Sequence, residues 1–253
     1  MSRYDRDYTL NLALGLVSNT SLFAKWGRNS DVDAAEDIWD GGGDYTGFPT
    51  GSAEKLEILS SDAADTAAGT GARTVRISNL LDGDKNVIDP IVVSLNGVTG
   101  VELDAAQTFS RASRVEVLTA GSGGVNAGTL TLRHVSTTTN IFAVVPIGFN
   151  NSEVACYTVP AGYKLAINKI YMGANLSGGG AQNVSAGLFV RPEGGAFRKI
   201  LPIEMSSQKD FNPIGEKYFY VFNEKEDIKL RAITVSNANC IISGAFGGEL
   251  VKI

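Results

Sequence analysis

The sequence has few of the residues that most often carry out chemistry. Its 253 residues include one histidine, His134, and two cysteines, Cys156 and Cys240, which lie far apart and outside any CxxC pattern. The zinc-protease motif HExxH, the hydrolase motif GxSxG and the phosphate-binding P-loop are absent from the sequence. These absences predict a protein that is not an enzyme, with no catalytic residue, no metal and no cofactor. We expect His134 to lie at the surface and the cysteines to be buried free thiols rather than a disulfide.

Basic charge and long apolar runs are also scarce. Asp and Glu outnumber Lys and Arg by 27 to 22, which gives a net charge of −5 and a pI near 5.0, and no block of Lys or Arg occurs. This argues against nucleic acid or an anionic membrane as a partner. The apolar segment from Leu10 to Val17 is interrupted by Asn11 and Gly15, so it is a poor signal peptide and too short to span a bilayer. We therefore expect a soluble protein made in a cytoplasm.

What the sequence does have is glycine, small polar residues and alternating apolar residues, a profile typical of β-structure with many turns. Residues 8–17 place Leu10, Leu12, Leu14 and Leu16 at every second position, which predicts an extended strand with one apolar face. We interpret residues 1–24 as an N-terminal extended arm that adds to a sheet edge of another subunit. The alternative is that these residues form the first strand of the chain's own sheet.

Residues 25–54 form an acidic, glycine-rich joint with an unusual number of aromatic side chains. Five of its residues carry too much apolar surface to remain in water: Trp26, Ile38, Trp39, Tyr45 and Phe48. Two interpretations are equally weighted, a docking joint against a neighbouring subunit and an ordered loop packed on its own domain. The carboxylates between Asp31 and Asp40 have no spacing that specifies a cation, which favours a solvated acidic face.

The rest of the chain is predicted to be all-β, in two parts. Residues 55–136 read as an antiparallel β-domain with two hairpin-like units, and Asn96-Gly97 is a strong signal for a further hairpin turn. Residues 137–253 hold about eight short strands separated by turns, which predicts a C-terminal β-sandwich and, more specifically, a jelly roll. The segment from Asp82 to Asn86 fits a turn between strands better than a calcium loop.

Several long segments resemble one group of proteins. The stretch KWGRNSDVDAAEDIWDGGGDYTGFP (residues 25–49), together with residues 56–77 and 117–133, is similar to virion structural proteins of tailed bacteriophages, including cyanophage and marine-phage versions. Residues 157–171 and 188–199 resemble the β-sandwich half of the same proteins. The resemblance implies a part of the virion and carries no catalytic signature. It places capsid decoration (cement) or head-fibre proteins first, and baseplate or tail components second.

Taken with the residue patterns, this resemblance predicts a homo-oligomer, with a trimer favoured, on the exterior of a capsid assembled in the host cytoplasm. The arm and the joint would bind the major capsid protein, and a host-glycan-binding module that uses exposed aromatics such as Tyr163 and Tyr171 remains a competing prediction. The candidate assembly contacts are apolar residues of the arm and the joint: Leu10, Leu12, Leu14, Leu16, Trp26, Ile38, Trp39, Tyr45 and Phe48.

Overall fold

A computed structural model describes residues 7–176, 182–206 and 220–253. These residues contain one six-residue helix and otherwise strands and turns, which confirms the all-β prediction, and no helix among them is long and apolar enough to cross a membrane. The elements are α1 (Tyr8–Ala13), β1 (Thr20–Val32), β2 (Leu56–Ser60), β3 (Ala72–Ser78), β4 (Leu80–Leu81), β5 (Val87–Ile88), β6 (Ile91–Ser94), β7 (Val101–Glu102), β8 (Arg114–Ala120), β9 (Leu130–His134), β10 (Ile141–Val145), β11 (Cys156–Thr158), β12 (Tyr163–Leu176), β13 (Asn183–Arg191), β14 (Arg198–Ser206), β15 (Tyr220–Phe222), β16 (Asp227–Val235) and β17 (Cys240–Lys252).

Eight of these strands form a jelly roll. They make two four-stranded antiparallel sheets, in the orders β1-β17-β12-β15 and β11-β16-β13-β14. If these eight strands are counted along the chain, the first pairs with the eighth, the second with the seventh, the third with the sixth and the fourth with the fifth. That is one long hairpin rolled around a core, which is the jelly-roll arrangement. The prediction of a jelly roll is therefore confirmed.

The inserted domain lies between the first two strands of this jelly roll. Strand β1 ends at Val32 and β11 begins at Cys156, so residues 33–155 form an insertion that contains β2 to β10. The domain boundaries expected from the sequence are corrected accordingly. A boundary after residue 24 falls inside β1, and a boundary after residue 136 separates β10 from its partner β9. Alternation along a chain reveals strands, but it does not reveal which distant strand each one pairs with.

The inserted domain is antiparallel, as predicted, but its pairing differs from the two expected hairpins. Its strands form sheets in the orders β10-β9-β2-β7 and β6-β3-β8, with a separate ribbon of β4 and β5. The two hairpin-like units pair with each other, so that Ile58 lies opposite Leu132 on β9. The turn at Asn96-Gly97 therefore carries the chain from β6 in one sheet to β7 in the other. Gly97 adopts a φ of +60°, and its N–H donates to the Asp65 carbonyl rather than closing a hairpin.

The predicted extended arm is wrong for its most apolar part, because residues 8–13 are helical. The Asp7 side chain accepts a hydrogen bond from the Leu10 N–H at 2.9 Å, which caps the first turn. Gly15, with a φ of +70°, ends the helix two residues after its last turn. Leucine and alanine are good helix formers, and a cap at each end outweighs the alternation of the leucines. The chain then enters β1, which pairs along most of its length with β17.

The hydrophobic core is divided between the two domains. One cluster fills the jelly roll between its sheets, around Ile167, Leu188 and Phe246. The second fills the inserted domain around Leu56, Phe109 and Leu132 and extends to the outer side of β11. Both cysteines are buried and unpaired, as the sequence predicted.

Candidate assembly surface and interdomain junction

The helix α1 holds the predicted arm leucines at the surface of the jelly roll. Leu12 is buried, with 4% of its surface exposed, and it lines a groove over the outer face of β1, β12 and β17. The Tyr8 hydroxyl donates to the Glu249 carboxylate on β17 at 2.8 Å, which holds the helix against that sheet. Leu10, Leu14 and Leu16 are 45%, 55% and 61% exposed. Three of the four predicted contact leucines are therefore available to a partner, and they lie on the helix (Leu10), at its C-cap (Leu14) and just beyond it (Leu16) rather than on a strand.

Exposed large apolar side chains are concentrated near the N-terminus of the described chain. Of the fifteen that the described residues expose, five lie between positions 8 and 22. Contiguous exposed apolar surface on a soluble protein marks a site of association more often than isolated residues do. We call these five residues the N-terminal apolar segment: Tyr8, Leu10, Leu14, Leu16 and Leu22.

The outer face of the same sheet carries two aromatic residues in one row. Trp26 on β1 and Tyr171 on β12 both lie opposite Ala245 on β17, so the three side chains point to one face of the sheet. Tyr171 is 46% exposed, whereas Trp26 is half-buried beneath the Arg114 guanidinium, which lies 4.7 Å from its ring centroid. The small alanine leaves a shallow groove between the two rings.

The remaining joint residues are not available to a neighbouring subunit. Ile38, Trp39, Tyr45 and Phe48 are at most 8% exposed and belong to the chain's own cores. The Tyr45 ring packs edge-on against both Trp39 and Phe48, with centroids 5.1 Å and 4.9 Å away. The Ile38 backbone donates to Leu230 of the jelly roll and accepts from Ala155, the last residue before β11. The docking interpretation of these four residues is therefore corrected to that of an ordered loop packed on its own chain.

The acidic run of the joint is partly buried rather than a solvated face. Asp37 is fully buried and accepts from Lys229 Nζ and Arg231 Nη1, both at 2.8 Å, and from the Tyr45 backbone N–H, also at 2.8 Å. Asp40 accepts from the Glu153 N–H at 2.6 Å, and burial raises its pKa to about 7. These carboxylates tie the joint to the jelly roll and to the end of the inserted domain.

A second buried ion-pair group joins the two domains at Asp227. Its carboxylate accepts from Arg111 Nε and Nη2 of the inserted domain, each at 3.1 Å, and from Arg191 Nε of β13 at 3.0 Å. The Thr158 hydroxyl donates to it at 2.5 Å. Both Asp227 and Arg111 are less than 10% exposed. Because the charges are paired across the junction, they fix the inserted domain in one orientation on the jelly roll.

These charged residues were not predicted from the sequence, although β16 contains a signal for them. Along β16, Asp227, Lys229 and Arg231 alternate with apolar residues, so the charged side chains share the face opposite the jelly-roll core. Such a row normally indicates a solvated face. Here Asp227 and Lys229 are nevertheless buried, because the inserted domain covers that face and supplies Asp37 and Arg111 as partners.

Lys25 is a further buried charge at the junction. This β1 residue is 5% exposed, and its ammonium group donates to the Ser113 carbonyl of the inserted domain. Burial, with a smaller contribution from the nearby Arg114, lowers the pKa of Lys25 to about 7, although the interaction with Cys156 opposes the shift. A lysine of this kind changes its charge near neutral pH, unlike an exposed lysine.

His134 is buried in the inserted domain, which corrects the expectation of a surface histidine. Its ring is 0% exposed and packs 4.7 Å from the Phe142 ring. Its Nδ1 lies 3.2 Å from the Asn140 side-chain amide, whereas its Nε2 has no hydrogen-bond partner among the described residues. Burial lowers the pKa of His134, and the Glu54 carboxylate 3.6 Å away opposes that shift. The residue is therefore a structural, neutral histidine.

The burial of His134 predicts an acid-sensitive inserted domain. Since the folded pKa lies below the ordinary value near 6.5, the unfolded chain binds the proton more readily. The stabilising contribution is complete above about pH 6.5 and is lost as the pH falls through the folded pKa. Because the chain has a single histidine, its Cε1–H proton gives one NMR titration curve, which we expect to have a midpoint below about 6.5. A midpoint at or above that value would contradict the account, and a His134→Phe variant should lose this part of the pH dependence of stability.

The turn predicted between Asp82 and Asn86 is confirmed. The Asp82 carboxylate accepts from the backbone N–H groups of Asp84 at 2.9 Å and Asn86 at 2.8 Å, and Lys85 adopts a φ of +70°. Across residues 7–176, 182–206 and 220–253, no group of three His, Cys, Asp or Glu side chains is placed to hold a metal ion.

Comparison with known proteins adds little to this picture. No protein-family model matches the chain, and no curated protein matches it. The solved structure of the infectious bursal disease virus VP2 subviral particle aligns at 11% identity with a TM-score of 0.18, covering 93% of this chain and 72% of that one. A T=1 particle derived from infectious bursal virus aligns at 10% identity with a TM-score of 0.12, covering 93% and 78%. Similarities this weak carry no argument about fold or function.

Proposed function

We propose that this chain is a non-enzymatic virion structural protein that decorates and stabilises a phage capsid. The observation that carries the proposal is the N-terminal apolar segment, in which Leu10 on a short helix, Leu14 at its C-cap and Leu16 just beyond it are about half exposed beside a jelly roll. Apolar surface of this kind is typical of a site where a protein associates with a partner. The resemblance of the joint and the strand segments to tailed-phage virion proteins supports the same conclusion.

The mechanism is mechanical. The inserted domain and the jelly roll are connected by the buried ion pairs of Asp37 and Asp227, so a pull on one domain is transmitted to the other. The N-terminal apolar segment then serves as the attachment device on the major capsid protein. Complete burial of a leucine side chain is worth about 1.5–3 kcal/mol, so three half-exposed leucines provide a moderate affinity per copy.

Self-association strengthens an attachment that is moderate for each copy. We propose a homotrimer on the capsid exterior, because three linked copies bind a threefold lattice site with an effective affinity far above that of one. Capsid assembly in the host cytoplasm brings the chain to the shell without a secretory step. If light scattering at micromolar concentration gave the molar mass of a monomer, the proposed trimer would be contradicted. The proposed attachment to the capsid would not be affected by that result.

The test of the proposed function is sedimentation with purified capsid shells. Full-length protein is mixed with expanded shells in one tube and with isolated tails in another, and both are pelleted. We expect the protein to pellet with the shells at a stoichiometry set by the lattice. Binding to tails and not to shells would replace the decoration role with that of a baseplate or tail component, and binding to neither would overturn the attachment role.

A second candidate function, binding of a host glycan, is favoured by the row formed by Trp26, Ala245 and Tyr171. Aromatic rings beside a shallow groove stack on sugar rings; here Tyr171 is exposed and Trp26 half-buried, and Arg28 and Glu153 lie beside the groove as hydrogen-bonding groups. Tyr163, the other tyrosine suggested by the sequence, lines a different cavity and is not part of this row. Binding on a glycan array that is lost in a Tyr171→Ala variant and kept in Tyr163→Ala would support this function.

A further inference from the structure

A cavity of about 280 Å³ lies at the junction of the two domains. The β4–β5 ribbon of the inserted domain closes one side through Leu80, Leu81 and Ile88, and the jelly roll closes the other through Tyr157 and Leu250. These side chains make its walls mainly apolar. An engineered cavity of about 150 Å³ with similar walls stays dry and binds benzene, so this one has room for a larger molecule.

The cavity has a mouth at the protein surface. Ser21, Val87 and Pro90 line it and are exposed, and the Val87 side chain is 53% exposed. A small molecule therefore has a path from solvent to the interior that requires no separation of the domains.

The polar groups inside the cavity specify the kind of molecule that fits. Tyr157 is 6% exposed, and its hydroxyl has no hydrogen-bond partner among the described residues, although its ring packs 4.5 Å from that of Phe23. A hydroxyl that donates to no protein group is free to donate a hydrogen bond to an acceptor bound in the cavity. Burial raises the pKa of Tyr157, so the hydroxyl keeps its proton and can donate it.

The charge of the lining argues against an ionised ligand. Among the described residues that line the cavity, Arg111 is the only charged one, and all three of its guanidinium nitrogens already donate hydrogen bonds. Its Nε and Nη2 donate to Asp227, and its Nη1 donates to the carbonyl oxygens of Pro49 and Ser110. An anionic group placed there would lose its hydration and would have to compete with the Asp227 carboxylate for the Arg111 guanidinium.

We propose that the junction cavity is a binding site for a neutral, mainly apolar small molecule that carries one hydrogen-bond acceptor, such as a carbonyl oxygen. The apolar body lies between Leu80, Ile88 and Leu250, and the acceptor receives the Tyr157 hydroxyl proton. Because both domains supply the walls, a bound molecule stabilises the junction as well as the site. This site is separate from the N-terminal apolar segment and does not depend on the capsid role.

The probe for this site is PRODAN, a neutral dimethylaminonaphthalene ketone whose fluorescence emission shifts to shorter wavelength when it leaves water. We expect saturable binding to the full chain and a rise in thermal midpoint on binding. A Tyr157→Phe variant keeps the ring and the cavity but removes the donor, and should weaken binding about tenfold. A Val87→Trp variant narrows the mouth and should abolish saturable binding.

A matched control variant tests whether binding occurs in the cavity, and a charged analogue tests whether the ligand must be neutral. Val92 on β6 is 57% exposed and does not line the cavity, so Val92→Trp should bind PRODAN like the unaltered protein. Acetylnaphthalene should compete with PRODAN, and naphthoate should not. Equal binding by the Val87→Trp and Val92→Trp variants, or no saturable binding to the unaltered protein, would overturn the site. Unchanged affinity in Tyr157→Phe, or competition by naphthoate, would overturn the assignment of the ligand class.

Discussion

Replacing Asp227 with alanine is expected to lower the free energy of unfolding by about 3–5 kcal/mol. The substitution leaves Arg111 and Arg191, whose side chains are largely buried, without their shared carboxylate. Removing one partner of a buried ion pair costs far more than the pair itself contributes, because the remaining charges stay desolvated. Since Arg111 belongs to the inserted domain and Asp227 to the jelly roll, the loss falls on the junction between them.

Urea unfolding at neutral pH, followed by tryptophan fluorescence, measures this effect. Trp39 lies in the core of the inserted domain and Trp26 on β1 of the jelly roll, so the signal reports on both domains. Asp89→Ala is the matched control, because Asp89 is exposed and has no ion pair among the described residues. This substitution should change the free energy of unfolding by no more than about 0.5 kcal/mol. If Asp227→Ala changed the stability by less than about 1 kcal/mol, the ion pairs would not be what fixes the junction. If the Asp227→Ala variant does not fold, the same measurement can be made on Asp227→Asn, which keeps the shape of the side chain and removes its charge.

Replacing Leu10, Leu14 and Leu16 together with serine is expected to weaken binding to capsid shells by roughly 40- to 2,000-fold. Each leucine is about half exposed, so its burial at an interface contributes roughly half of the 1.5–3 kcal/mol of a full burial. The three together therefore contribute a few kcal/mol, and each 1.4 kcal/mol is a factor of ten in affinity. The fold should be unaffected, because Leu12, which anchors the helix, is unchanged.

The matched control for the triple variant replaces three other exposed apolar residues with serine. Val92, Val98 and Leu118 lie in the inserted domain and are 57%, 60% and 45% exposed. The control should pellet with shells as well as the unaltered protein does. Equal loss of binding in both variants would mean that general surface hydrophobicity is responsible, and no loss in either would place the attachment surface elsewhere on the chain.

The sequence predicted the class of fold because strands of alternating apolar residues and their turns are local features. Eight short strands after residue 136 indicated a jelly roll, and seven of its eight strands do lie in that part of the chain. The first strand, β1, could not be found in this way, because its partner β17 lies at the other end of the chain. Pairing between the two ends of a chain depends on the complete fold and leaves no local pattern.

The candidate site was predictable only in part, for two physical reasons. The arm leucines were correctly identified as apolar residues without an obvious core position. However, Asp7 caps the start of this segment and Gly15 its end, and these caps favour a helix over the predicted strand. The joint aromatics were correctly identified as buried, but burial against the same chain and burial against a neighbour have the same sequence pattern. The charged row of β16 looked like a solvated face, because the domain that covers it comes from a distant insertion.

The most direct test of the central proposal is a cryo-electron microscopy reconstruction of the intact virion that carries this chain. The account predicts jelly-roll density on the outside of the shell, with helix α1 against the major capsid protein and the inserted domain seated on the opposite sheet of the jelly roll. Density for the chain in the tail, or on the shell with α1 facing solvent, would contradict it.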